Sequence, residues 1–255
     1  AWQLARRGHA VEIRDQNPNP GGMMAYGIPE YRLPRTDLQR EIARIAALPG
    51  VTLRCGERVD DVARARREGG FDAAFVAVGA QLSNHLDIPA VDGRRIVDAV
   101  GLLDQVRRDE RPSLGRVVVV VGGGNTAMDA ARTARRLGAE EAVLVYRRDA
   151  AHMGAHPDEA EEAFAEGVKV KWVSTVQQFG AKGVVIEKMA LGADGQLTPT
   201  GETEQLAADS VLLAVGQHSD LALLAGSPRA TTAQGVVQVG EQMMTGEDGL
   251  FAGGD

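Results

Sequence analysis

Cysteine is almost missing from this sequence. Cys55 is the single one in 255 residues. That excludes an intrachain disulfide, a Cys-x-x-Cys redox pair and any cysteine-built metal or iron–sulfur site in this segment. Cys55 itself reads as a small half-buried filler, and a reducing, cytoplasmic setting fits. No apolar run approaches the roughly 18–20 residues of a membrane helix. Positive charge is not in excess: 28 Lys+Arg stand against 35 Asp+Glu, a net charge of −7. This argues against non-specific binding to nucleic acid or acidic membranes. There is no low-complexity segment, long linker or short repeat. The sequence opens at Ala1 without the pattern of a signal peptide, so none is expected in this segment. What is present is 44% hydrophobic residues, enough core for one or two domains and too much for wholesale disorder.

The chain opens inside a helix. Ala1, Leu4 and Ala5 share a face, and Arg6, Arg7 and Gly8 read as its end. Val11-Glu12-Ile13 is then a strand closing on Asp15. Helix, strand and terminal acid form the second half of a dinucleotide-binding βαβ unit. The far end, Gly249 to Asp255, is a strand running into a Gly-Gly-Asp turn. The expectation is a segment of a longer protein, with the first strand and glycine turn of the outer unit upstream. Such a segment is expected to hold NAD(P)H but to hold FAD weakly.

The middle is the clearest part. Val117 to Val121 is an unbroken β-branched run, the pattern of a strand buried on both faces. Gly122-Gly123-Gly124-Asn125-Thr126-Ala127 follows, then a helix with Met128, Ala130, Ala131, Ala134 and Leu137 on its apolar face. Gly138 stops it, and Ala142 to Tyr146 is the next strand. A glycine-rich turn needs this strand–turn–helix–strand context to mean dinucleotide binding. Further on, Pro157 opens an acidic helix running to Glu166. Val168, Val170 and Trp172 alternate with lysines, Val184 to Leu191 is a strand, and Asp194-Gly195 is a hairpin signal. Two apolar strands, Phe71 to Gly79 and Ser210 to Gly216, each end in Ala-Val-Gly, which predicts two related sheets.

Chemistry follows from the residue types. Gly122 makes the tight turn, Gly124 lets a pyrophosphate approach the backbone, and Ala127 lets helix and strand pack closely. An acid normally ends the next strand and holds the ribose 2′-hydroxyl of NAD. Here Tyr146-Arg147-Arg148 stands there. Two guanidiniums suit a 2′-phosphate, which favours NADPH and leaves NAD possible. One Arg capping the sheet edge is the plainer alternative. Asp15 would accept a ribose hydroxyl, and Gly21-Gly22 before Met23 would let a second nucleotide approach. A surface turn would look much the same.

Four stretches carry a family resemblance: Gly21 to Pro34 with its Tyr26-Gly27-Ile28-Pro29 core, Gly122 to Arg132, Tyr146-Arg147-Arg148 with Met153, and Phe251 to Asp255. Together they resemble the glutamate synthase small-subunit family of pyridine-nucleotide flavoproteins. The Gly-x-Gly-Asn-x-Ala-x-Asp-x-Ala-Arg pattern of Gly122 to Arg132 is also similar to adrenodoxin-reductase-type enzymes. The resemblance implies an α/β fold of two nested Rossmann-like dinucleotide-binding domains with parallel sheets. An FAD domain would be split over residues 1–82 and 218–255, with an NAD(P)H domain at 83–217. It implies that Asp15, Gly21, Gly22 and Gly79 touch FAD and that Asp255 meets the ribityl-phosphate region. Met23, Asn125, Thr126, Gly216 and Gly254 join the candidate cofactor set.

The implied activity takes hydride from NAD(P)H onto FAD and passes electrons to an iron–sulfur domain or a larger catalytic subunit. A 4Fe-4S cluster would lie upstream or in that partner. The stretch after Met153, Gly154 to Glu159, is not the basic run of true glutamate synthase subunits, which favours another acceptor. Hydride transfer needs little acid–base help. No general acid, base or metal ligand is assigned; His152 and His156 read as loop surface, and Glu159 as a possible contact to nicotinamide or ribose. The rival readings are a non-enzymatic NAD(P)H-binding redox sensor and a structural remnant.

Overall fold

The valines Val117–Val121 form the middle strand of a parallel sheet, and all but Val117 are buried. In the computed structural model, which describes residues 1–91, 95–192 and 195–254, this sheet has five strands. Their order is Arg95–Asp98, Ser210–Leu213, Val117–Val121, Glu141–Val145 and Lys169–Lys171. Every neighbouring pair is parallel. Successive side chains of a strand point to opposite faces, so a continuous apolar run demands a cover on each.

The two covers differ. Val118, Val120, Ala142, Leu144 and Leu212 pack against Ala127, Met128, Ala130, Ala131 and Ala134 of the helix Asn125–Arg136 and against Leu102 and Ala163 of flanking helices. Val119, Val121, Val143, Val145, Val211 and Leu213 pack against Val176, Phe179, Val184 and Ile186. Those last residues belong to a three-stranded antiparallel sheet of Ser174–Gly180, Gly183–Leu191 and Leu197–Leu206. The sequence shows the strand Val184–Leu191 and a hairpin signal after it, but neither the strand Ser174–Gly180 nor that this sheet takes the place of a helical layer. Asp194 of the expected hairpin turn lies outside the described residues; Gly195 has φ +77°, a left-handed conformation that favours glycine. Leu144 is fully buried in the helix-side core. Leu144→Ala is expected to cost about 2–5 kcal/mol, read as a lower denaturant midpoint with unchanged slope.

The chain divides into two compact units. One comprises Tyr26–Arg32 and Ser83–Gly216; the other comprises Ala1–Ala25, Leu33–Leu82 and Gln217–Asp255. The second unit holds two parallel pairs. Val11–Asp15 lies beside Val51–Cys55 in register from Val11↔Val51 to Asp15↔Cys55. Ala74–Val76 lies beside Leu250–Ala252. The helices Arg35–Ala46 and Val62–Glu68 accompany them. Asp61 caps the latter by accepting from the Arg64 N–H at 2.9 Å. The apolar strand expected over Phe71 to Gly79 is confined to Ala74–Val76, and Phe75 is 59% exposed. Its pair is two strands wide, so one side of the pleat is left outside the small core of Val76, Leu250 and Ala252. Parallel sheets in both units make the fold Rossmann-like, as expected. Among the described residues, no helix is long and apolar enough to cross a membrane.

Candidate functional site

Ligands of open parallel sheets bind outside the carboxyl ends of the strands. In the larger-sheet unit, four candidates stand there. Gly122 follows Val117–Val121, Arg147 and Arg148 follow Glu141–Val145, and Gly216 follows Ser210–Leu213. The other unit repeats the arrangement. Asp15 ends its strand, Gly79 comes after Ala74–Val76, and Gly254 comes after Leu250–Ala252. Asp255 lies outside the described residues.

The three glycines of the turn have different reasons to be glycine. Gly122 has φ +148°, and a Cβ there would sit 2.3 Å from the Ala214 carbonyl oxygen. A Cβ on Gly123 would enter the Tyr146 ring at 2.5 Å. Both are fixed by packing. Gly124 has φ −96°, open to any residue, and no protein atom lies within 4 Å of its Cβ position. The protein leaves that space free. It lies at the N-terminus of Asn125–Arg136, which no side chain caps. Uncapped N–H groups and a positive dipole end suit an anion. Ala127 is fully buried against the sheet, and Thr126 is half-buried in the first turn.

A loop folds back on this turn. The Ala155 N–H donates to the Gly123 carbonyl at 2.9 Å, and the His156 N–H donates to Asn125 Oδ1 at 2.9 Å. Asn125 therefore holds the loop with its side chain. Arg147 is exposed and Arg148 half-buried, and among the described residues neither guanidinium makes a hydrogen bond or ion pair. Next to them Val173 has φ +50°, an outlier for a β-branched residue. Its N–H donates to the Arg148 carbonyl and its own carbonyl accepts from Met189 at 2.7 Å. The tertiary bonds hold a conformation that no sequence rule foresees. Tyr146 packs edge-on to Trp172, ring centroids 6.2 Å apart, and its hydroxyl donates to the His152 carbonyl at 2.6 Å.

In the other unit, Asp15 Oδ1 accepts from the Asn17 N–H at 2.9 Å. Gly21 has φ +124° and its Cβ position crowds Ala25 at 3.0 Å; Gly22 has φ +53° with open space beside it. Met23 is half-buried in the short helix Gly22–Tyr26. Gly79 and Gly254 have φ +70° and +104°, and both face open space. Gly216 has φ +99°, with Asn84 Nδ2 3.0 Å from its Cβ position.

A charged cluster missed by the sequence reading lies along the glycine-turn helix. Asp129 and Arg132 are 3% and 4% exposed. Arg32 donates to Asp129 Oδ2 at 2.5 Å and also to Glu159 Oε1. Arg132 pairs with Glu162 at 2.8 Å and Glu166 at 2.7 Å. Glu159, considered above for the nicotinamide, is thus engaged by Arg32. The sign of this cluster was readable in the Asp129 and Arg132 of the glycine motif; its partners were not. Hydrogen bonds from Arg136 and then Arg132 hold Glu166 down to about 2. A lowered carboxylate stabilises the fold above its unfolded pKa near 4.5 and stops doing so as pH falls through about 2. An acid titration is expected to lose about 1–3 kcal/mol over that window, and Glu166→Gln to remove that part of the loss.

The family model for pyridine nucleotide-disulphide oxidoreductases matches residues 1–255. The chain belongs to that family of FAD/NAD(P) oxidoreductases. It is 41% identical over 271 residues to the NADP(+)-dependent formate dehydrogenase subunit beta of Moorella thermoacetica, covering 100% of this chain and 38% of that protein. It is 31% identical over 281 residues to the glutamate synthase [NADPH] small chain of Azospirillum brasilense, covering 100% of this chain and 58% of that one. The chain thus spans less than two thirds of the length of each of these relatives. The fold matches Mycobacterium tuberculosis FprA in complex with NADPH, with a TM-score of 0.74 at 19% identity, over 96% of this chain and 71% of that one.

Proposed function

We propose that this chain carries the NAD(P)H-to-flavin step of an electron-transfer flavoprotein. The unit with the five-stranded sheet takes NADPH, and the unit with the two parallel pairs takes FAD. The observation that carries the reading is the Gly124 turn: a helix N-terminus left uncapped, with open space beside the Gly124 Cβ position. That space fits a pyrophosphate, and the unpaired Arg147 and Arg148 beyond it fit a 2′-phosphate.

The chain's own residues bind and orient. Gly124 and the first turn of Asn125–Arg136 offer N–H donors to the phosphates, while Asn125 holds the 153–156 loop beside them. Arg147 and Arg148 read the adenosine end. In the other unit, Asp15 would accept a ribose hydroxyl, and Gly21, Gly22, Gly79 and Gly254 keep the backbone open to a second nucleotide. Met23, Thr126, Ala127 and Gly216 line or support these turns. When bound, the flavin supplies the hydride acceptor and the route to one-electron carriers. No side chain is assigned as acid or base. A cysteine pair is not needed: Cys55 stands alone.

The acceptor is read as an iron–sulfur centre or a partner subunit. A relative's name supports the partner subunit, since the Geobacter sulfurreducens NADPH-Fe(3+) oxidoreductase subunit beta is 36% identical over 242 residues. Anaerobic addition of NADPH to flavin-reconstituted protein tests the reading. Bleaching of the flavin absorbance near 450 nm is the expected result. Nucleotide binding with no bleaching would favour the redox-sensor reading instead.

A further inference from the structure

Two signature stretches have no role in the mechanism above. One is the segment Tyr26–Arg32; the other is the pair Asp129 and Arg132 in the helix after the glycine turn. Within the NADPH-assigned unit they interlock. Arg32, with a side chain 17% exposed, spans two helices. One of its nitrogens bonds Asp129, one turn into Asn125–Arg136, and the other bonds Glu159, in the first turn of Pro157–Ala165. Beside it the Tyr31 ring lies under two guanidiniums, Arg136 at 3.9 Å and Arg132 at 4.7 Å from its centroid. The loop that enters the second helix is the one bonded to Gly123 and Asn125. A single side chain thus ties the second turn of Asn125–Arg136 to the first turn of Pro157–Ala165.

We propose that Arg32 is a positioning residue for that turn: by tying Asp129 to Glu159 it keeps the 153–156 loop seated on Gly123–Asn125 and the helix N-terminus open for a pyrophosphate. This rests on the reading of the turn as the NADPH site. The alternative arrangement is unfavourable. Without Arg32, Asp129 and Glu159 face one another, with Arg132 3.5 Å from Glu159. Asp129 Oδ1 and Glu159 Oε2 already lack a hydrogen-bond donor among the described residues. Burial pushes Asp129 up to about 6 even with Arg32 in place. Like charges left unpaired in a buried site repel, and the helix starts that carry them separate.

The test compares two probes that share the adenosine end. NADPH has the pyrophosphate; adenosine 2′-monophosphate does not. Calorimetric affinities are measured for the wild type, Arg32→Ala and Arg32→Lys. Arg32→Ala is expected to weaken NADPH at least tenfold and adenosine 2′-monophosphate less than threefold. Arg32→Lys keeps one of the two bonds and should recover part of the NADPH affinity. If Arg32→Ala fails to fold by circular dichroism, Arg32→Lys decides: a selective loss of NADPH supports the role, and wild-type affinity overturns it. A drop in melting temperature with both affinities unchanged, or an equal loss of both, makes Arg32 a merely structural residue and overturns the proposal. A wild type that binds neither probe overturns the site reading itself, and is distinguished by failing before any substitution is made.

Discussion

Replacing Arg147 and Arg148 together with alanine is expected to erase any preference for NADPH over NADH. Both residues sit past the carboxyl end of Glu141–Val145, where an NAD enzyme carries an acid. Among the described residues neither guanidinium has a partner, so no internal ion pair has to break before a phosphate binds. A hydrogen bond to a charged group contributes about 1.5–3 kcal/mol, or about 10- to 150-fold in affinity. The exposed Arg147 is the more screened of the two, so the single Arg148→Ala should lose more than Arg147→Ala. NADH affinity should hold in the double variant, because the pyrophosphate turn is untouched. Raising salt should narrow the wild-type preference in the same direction. Equal affinities for the two nucleotides in the wild type would show that these arginines serve the sheet edge and not a phosphate.

How much of this was legible beforehand depends on the range of the interactions. Val117 to Val121, the glycines and the helix from Asn125 are local patterns, and the structure places them as read. The five-residue strand is bounded by its own composition. Apolar content over Phe71 to Gly79 does not by itself make a buried strand; pairing partners decide burial, and among the described residues Ala74–Val76 pairs with Leu250–Ala252 alone. The antiparallel cover over Val119 and Val121 was invisible, since which strand packs on which face is a tertiary fact. The same holds for the candidate site. Gly122 and Gly124 look alike in sequence, yet one is held by the Ala214 carbonyl and the other by nothing. Arg32 and Asp129 are 97 residues apart in the chain, so no spacing rule could join them. Val173 gave no signal at all, because a left-handed β-branched residue contradicts local preference.

The glycine turn gives the largest expected effect, and the contrast between its members makes the test specific. Gly124→Val is expected to abolish measurable NADPH binding while leaving the melting temperature close to that of the wild type. The backbone at φ −96° accepts a β-branched residue, and no protein atom lies within 4 Å to be displaced. The new methyl groups would occupy only the space assigned to the pyrophosphate. Losing several charge-assisted N–H contacts at about 1.5–3 kcal/mol each removes more than two orders of magnitude of affinity. Gly123→Ala should behave in the opposite way. Its Cβ would meet the Tyr146 ring at 2.5 Å, so the ring must swing and the Trp172 contact with it. Overpacking of that kind costs about 1–3 kcal/mol of stability. Melting curves and nucleotide titrations on both variants separate the two effects. A Gly124→Val protein that binds NADPH normally would mean that the open space is only a surface turn, and the site would have to be sought elsewhere on the sheet.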